Sequence, residues 1–192
     1  WEMPAVVPIM RFRGKTMGLV GFGNIAQLVA VKAQAFGINV IASDPYVKPE
    51  VAAAKGVELV EFDALLERSD YVSVHAPLTP ATENMFSTDA FAKMKSTAYI
   101  VNTARGGLID TKALVTALDA GELAGAGLDV LPQEPPAEDD PILSRDDVVI
   151  NPHTSFYSED ALLDLQTTVA GDILTVLNGG QPKWPANPDV FK

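Results

Sequence analysis

The stretch GLVGFGNIAQ, residues 18–27, decides the fold. Three glycines sit inside an apolar run that continues directly into LVAVKAQAFG, residues 28–37. Glycine weakens such a run unless the backbone needs conformational freedom or close approach at that point. A strand that ends in a tight turn and opens a helix has that need. The pattern Gly21-Phe22-Gly23-Asn24-Ile25-Ala26 fits G-x-G-x-x-G/A. The first glycine makes the turn, the second lets the backbone approach a pyrophosphate, and the third small residue lets helix and strand pack closely. Asn24 and Ile25 would open the helix, whose free N–H groups favour an anion.

The chain downstream alternates apolar β-like runs with helical patterns. Strands are predicted at 16–22, 39–43, 57–60, 71–76, 98–103, 126–130 and 148–152, rich in Val, Ile and Tyr. Helices are predicted at 25–37, 62–69, 89–95 and 110–121. This alternation means a Rossmann-type, doubly wound α/β domain, a parallel sheet with helices on both faces. A long helix follows at 158–180, with Ser158 as its cap and Gly179–Gly180 as its stop. The Pro-rich tail QPKWPANPDVFK reads as extended, and PQEPPAEDDP (132–141) as an acidic surface loop.

Composition narrows the function. With 192 residues, the chain is long enough for one well-filled domain with an arm. A net charge of −11 argues against nucleic acid or an anionic membrane as the main partner, since both need clustered positive charge. The absence of cysteine excludes disulfides, thiolate metal sites and a cysteine nucleophile. The start WEMPAVVPIM lacks a signal-peptide pattern, and apolar runs are broken too often for a membrane span, so a cytoplasmic protein is expected. The first residue is Trp1 rather than Met, so the sequence reads as an excised piece. Two histidines 78 positions apart offer no metal ligand set.

Two groups of residues carry chemistry. Asp44 ends the second strand, with 17 residues between it and Ala26, and is followed by Pro45 and Tyr46 with no arginine. An acid there accepts hydrogen bonds from the adenosine ribose and repels a 2′-phosphate, which favours NAD over NADP. The plainer alternative is a strand-end Asp that caps a turn. The second group is Arg105, Glu134 and His153, each placed just after a predicted strand. In an open parallel sheet, ligands bind outside the carboxyl ends of the strands, so these side chains converge on one edge. An Arg fork suits a carboxylate, a His moves a proton near neutral pH, and a Glu orients the imidazole and favours its charged form. Taken singly, each could be a loop residue without chemistry; their joint placement behind a dinucleotide loop favours the site. The loop after the fourth strand, with Ala76, Pro77 and Thr82, reads as a wall of the cofactor site. His75 beside it reads as a structural histidine.

Taken together, GLVGFGNIA…D, HAPLTPATENMF, NTARGGLID, GAGLDV…QEPP and NPHTSFYSED resemble the D-isomer-specific 2-hydroxyacid dehydrogenases, from about residue 8 to residue 185. The wording PHTSFYSED looks most like the C-terminal-binding-protein branch and its bacterial relatives; a phosphoglycerate-dehydrogenase-like branch is the other candidate. The resemblance implies that Arg105 binds the substrate carboxylate, Glu134 pairs with the catalytic histidine and His153 is the acid/base. It implies that Asp129 lies near the nicotinamide carboxamide and that Thr103 and Ala104 line the nicotinamide pocket. Glu134 argues against formate dehydrogenases, which carry Gln there, and Asn24 stands where many members have Arg or His.

The implied activity is D-stereospecific hydride transfer between NAD(H) and a 2-hydroxy acid/2-keto acid pair. The alternative is an NAD(H)-sensing dimeric module of corepressor type without significant turnover. Residues 1–10 would be a crossover from a substrate domain, 11–156 the cofactor domain, and 157–192 a C-terminal helix and return segment. Members commonly form homodimers through the cofactor domain. The 192 residues alone are expected to turn over poorly or not at all.

Overall fold

The structure, a computed structural model, describes residues 9–191. Most of the expected crossover segment, residues 1–8, lies outside the described residues. The chain divides into two compact units after His153.

The first unit is built on seven parallel strands: β1 (Thr16–Val20), β2 (Asn39–Ser43), β3 (Glu58–Leu59), β4 (Tyr71–Val74), β5 (Tyr99–Asn102), β6 (Gly125–Leu128) and β7 (Val148–Ile150). Their order in the sheet is β3-β2-β1-β4-β5-β6-β7, so the direction of winding reverses between β1 and β4. Helices α1 (Asn24–Ala35), α2 (Pro49–Ala53), α3 (Phe62–Arg68), α4 (Thr88–Phe91) and α5 (Thr111–Asp119) fill the crossovers. This is the expected Rossmann-type topology.

Strand alternation sends side chains to two cores. Val20, Ile41, Val72, Val74, Ile100 and Leu128 face one side, where Leu65, Leu66, Phe91, Leu114 and Leu118 of α3, α4 and α5 cover them. Leu19, Val40 and Ala42 face the other, against Ala26, Ala30 and Ala33 of α1 and Ala52 of α2. The alanine stripe lets α1 lie close to the sheet, as the small residue at position 26 requires. On the α1 side, Tyr99, Val101 and Val149 remain exposed.

Every functional candidate of this unit follows the carboxyl end of a strand. The amino-terminal edge carries ion pairs instead: Asp70, just before β4, accepts from Lys95 at 3.2 Å, lies 3.5 Å from Lys15, and also accepts the Thr16 N–H at 2.8 Å. Arg68 clasps Glu58 through two bonds of 2.6 and 3.0 Å.

The second unit holds α6 (Glu159–Leu177). Ser158 caps it, its Oγ accepting the Ala161 N–H at 3.0 Å, with Glu159 and Asp160 in the first turn. Gly179, at φ +80°, stops it. The tail expected to be extended instead closes in a 3-10 turn at Pro188–Phe191. Among the described residues, no helix is long and apolar enough to cross a membrane.

Candidate active site

The glycine loop leaves β1 at Gly21, whose φ of +85° suits only glycine without strain. A Cβ there would also sit 2.8 Å from the Ala76 nitrogen and 2.9 Å from the His75 carbonyl carbon. Gly21 therefore seals the loop against the chain leaving β4, at the point where the strand order reverses. Gly23 caps α1 and is different: a Cβ there would meet no described atom within 4 Å. Nothing in the packing of the chain itself demands a glycine at that position. The first turn of α1, with Asn24 and Ile25 exposed, has neither a side-chain cap nor an acidic residue. Its N–H groups and positive dipole end are therefore directed outward.

Asp44 follows β2. One carboxylate oxygen accepts the Phe22 N–H at 2.8 Å; the other accepts the N–H groups of Tyr46 at 2.8 Å and Val47 at 3.2 Å. The acid thus caps its own turn and also fastens the glycine loop. Pro45 beside it is exposed.

The wall loop after β4 begins with buried Ala76 and exposed Pro77. The Thr82 hydroxyl donates to the Pro77 carbonyl at 2.7 Å and accepts the Thr79 N–H at 2.8 Å, so it ties the loop to itself. His75 is half-buried, its Nε2 2.9 Å from Ser73 Oγ, and burial pushes its pKa down.

Arg105, Glu134 and His153 come from the loops after β5, β6 and β7. Their loops touch: a Cβ on Gly106 would stand 2.0 Å from the Leu131 carbonyl carbon, so the Arg105 loop lies directly on the Leu131–Pro132 main chain. Glu134 folds back to accept the Leu131 N–H through Oε1 at 2.9 Å, and its Oε2 lies 2.7 Å from His153 Nδ1. The bond to His153, and next the bond from Leu131, hold the exposed Glu134 carboxyl below its usual range. His153 has φ of +54°, a left-handed backbone that is uncommon outside glycine. Its N–H donates to the Asp129 carbonyl at 2.8 Å. Asp129 is buried, Ala104 half-buried, and Thr103 and Arg105 exposed. Arg105 Nη1 donates to the Ala104 carbonyl at 2.6 Å.

A cavity of about 490 Å³ lies against this group, lined by Asp129, Glu134, Pro135, Leu143, Ile150 and His153. A larger groove of about 750 Å³, beside the start of α5, contains none of the expected site residues. No group of three or more metal-ligating side chains occurs among the described residues.

The sequence profile described as "D-isomer specific 2-hydroxyacid dehydrogenase, NAD binding domain" matches residues 1–155. The chain belongs to this family. It is 47% identical over 167 residues to the D-3-phosphoglycerate dehydrogenase of Methanocaldococcus jannaschii, covering 86% of this chain and 32% of that protein. It is 40% identical over 179 residues to the glyoxylate reductase of Korarchaeum cryptofilum, covering 93% and 54%. The NAD-complexed D-isomer specific 2-hydroxyacid dehydrogenase of Lactobacillus delbrueckii ssp. bulgaricus superimposes with a TM-score of 0.84 at 36% identity, covering 95% of this chain and 58% of that one. The chain thus spans between about a third and three-fifths of the length of these three relatives.

Sequence reasoning missed two residues of the site. Phe22, the variable position in the glycine motif, contributes its N–H to Asp44. Asn102, read only as part of a strand, is fully buried at the foot of the Arg105 loop. The signal for the second was present: an amide at the end of an apolar strand needs hydrogen-bond partners.

Proposed function

We propose that this domain is the cofactor-binding and proton-transferring part of an NAD-dependent D-2-hydroxyacid dehydrogenase. The observation that carries the reading is the Glu134–His153 pair at 2.7 Å, held on the loop edge of the sheet beside the Arg105 loop. NAD(H) fits the residues present. Gly23 leaves open space where a pyrophosphate would approach, the uncapped first turn of α1 with Asn24 and Ile25 offers N–H donors, and Asp44 stands at the ribose position. Pro45, Ala76, Pro77 and Thr82 would shape the adenosine side and wall of the cleft. Thr103, Ala104 and Asp129 would line the nicotinamide side.

When bound, NAD(H) supplies or accepts the hydride at C4 of its nicotinamide. The protein's part is positioning and proton management. Arg105 grips the substrate carboxylate in a bidentate fork. Glu134 occupies His153 Nδ1, which leaves Nε2 as the nitrogen that hands a proton to the substrate oxygen during reduction and takes it back during oxidation. The bond from Glu134 fixes the tautomer and the plane of the ring.

The domain's coverage of its relatives supports placing the rest of the substrate cleft on a part outside these residues, with 1–10 and 157–192 as the connecting segments around a cofactor domain of 11–156. A homodimer through the cofactor domain belongs to the same proposal; exposed Leu28 and Val31 on α1 offer apolar surface for it. So does a cytoplasmic location.

The test is NADH oxidation by the intact protein with glyoxylate, pyruvate, hydroxypyruvate and 3-phosphohydroxypyruvate. One of these is reduced, and His153→Ala lowers kcat by about 10²–10⁴-fold while NADH affinity is kept. Unchanged turnover in His153→Ala overturns the role of the pair. NADH binding with no turnover on any acid moves the conclusion to the sensor alternative.

A further inference from the structure

Asn102 is the last residue of β5, with no solvent exposure, and its register neighbours on the adjacent strands are Val74 and Leu128. An amide among such neighbours destabilises the fold unless its polar atoms are paired. Its Oδ1 accepts the Ala104 N–H at 3.0 Å, and its Nδ2 donates to the Arg105 carbonyl at 2.9 Å. These two partners fix which way the amide points, because the flipped amide would oppose donor to donor and acceptor to acceptor. The side chain therefore closes the loop that carries Arg105 onto the end of the strand.

The same residue also reaches the other two functional loops. Its main-chain carbonyl accepts the Asp129 N–H at 3.0 Å, and the Asp129 carbonyl accepts the His153 N–H at 2.8 Å. His153 bonds Glu134, Glu134 accepts from Leu131, and the Leu131 main chain lies against Gly106, the residue after Arg105. The connections form a closed ring through Arg105, Glu134 and His153, and Asn102 is the member whose side chain enters it from the core.

We infer that Asn102 is a positioning residue for the substrate carboxylate, acting through the main chain of Ala104 and Arg105; this rests on the dehydrogenase reading above. The cofactor loop at Gly21–Gly23 and Asp44, which would hold the pyrophosphate and ribose, shares no bond with Asn102, whose partners Ala104 and Asp129 stand only at the nicotinamide end; the larger effect therefore falls on the keto acid. Aspartate at 102 would set an oxygen against the Arg105 carbonyl oxygen, and serine is too short to span both partners.

The experiment measures KM for the preferred acid of the glyoxylate, pyruvate, hydroxypyruvate and 3-phosphohydroxypyruvate panel, and KM for NADH. The proteins are wild type, Asn102→Ser, Arg105→Ala and the double variant. Asn102→Ser raises the keto-acid KM by about ten- to a hundredfold, the scale of a misplaced binding group. The NADH KM stays within about twofold, the ordinary scatter of independent sites. In the Arg105→Ala background the same substitution has no further effect on the keto-acid KM.

An equal loss in both backgrounds, a parallel loss of NADH affinity, or no loss overturns the inference and leaves the dehydrogenase reading intact. Absence of turnover in the wild type overturns both. Should Asn102→Ser not fold, Asn102→Asp carries the same comparison, and failure of both variants to fold assigns Asn102 a purely structural role.

Discussion

Replacing Asp44 by asparagine tests whether one carboxylate both fastens the glycine loop and selects the cofactor. The shape is conserved, but one of the two oxygens becomes an NH₂ group. The turn bonds from Tyr46 and Val47 survive if the remaining oxygen faces them, and the NH₂ then points at the Phe22 N–H, which loses its acceptor. A hydrogen bond to a charged group contributes about 1.5–3 kcal/mol, and partial solvation at this half-buried site places the cost near the lower end, about 1.5–2 kcal/mol. For a protein of this size each kcal/mol moves Tm by about 2–4 °C, so a fall of about 3–8 °C is expected in a thermal melt.

Binding carries the second readout. NADH affinity falls, because the ribose hydroxyls lose an anionic acceptor, and the preference for NADH over NADPH narrows, because a 2′-phosphate no longer meets a negative charge. An unchanged Tm refutes the fastening role. A lowered Tm with unchanged NADH affinity and selectivity refutes the ribose role. The two functions are separable in one variant because fastening is read without cofactor.

Two further outcomes follow from single positions. Gly106→Ala forces a methyl group into the Leu131–Pro132 backbone, which cannot yield as a flexible side chain would. It lowers stability by about 3 kcal/mol, the upper range for overpacking, and a melt at the wild-type Tm shows that the two loops are not in contact. Burial lowers the pKa of His75 in the folded state, so the unfolded chain takes up its proton first. That contribution is level above about pH 6.5 and is lost as the pH falls below it. His75→Gln therefore flattens the decline of Tm between about pH 6.5 and 5, while the steeper loss at lower pH, where Glu134 and Asp70 are protonated, remains. Identical pH profiles for variant and wild type refute the assignment.

The sequence showed the strands better than their ends. β2 is found at the predicted residues, because β-branched Val40 and Ile41 favour a strand and Asp44 turns the chain after it. β1 was expected to run to Phe22 but stops at Val20, since Gly21 turns into the left-handed region. Helix α4 was expected at 89–95 and spans Thr88–Phe91; the Ala-Phe-Ala pattern there serves a short turn packed on the core. Helix α2 was not foreseen, although Pro49 at its first position and Gly56 beyond its end were visible signals. The placement of Arg105, Glu134 and His153 in the loops after β5, β6 and β7 was legible because each follows an apolar strand. The bonds that hold them were not, because they run between backbone groups distant in sequence and through the amide of Asn102. Asp44 was read as either a turn cap or a cofactor ligand; the folded chain shows the first directly, and the second is part of the proposed function.

Because all seven strands of the first unit run the same way, that unit has one edge that carries the candidate site and an opposite edge that carries ion pairs. Lys15, Glu58, Arg68, Asp70 and Lys95 gather at the latter, on the far side of the sheet from every loop named above. Lys15 and Lys95 are occupied with Asp70, so an amine-directed label would disturb that contact. A cysteine introduced beside them, in a chain that has none of its own, gives a unique handle for a dye, bead or electrode. Attached there, the domain would present its loops to solution in one known orientation.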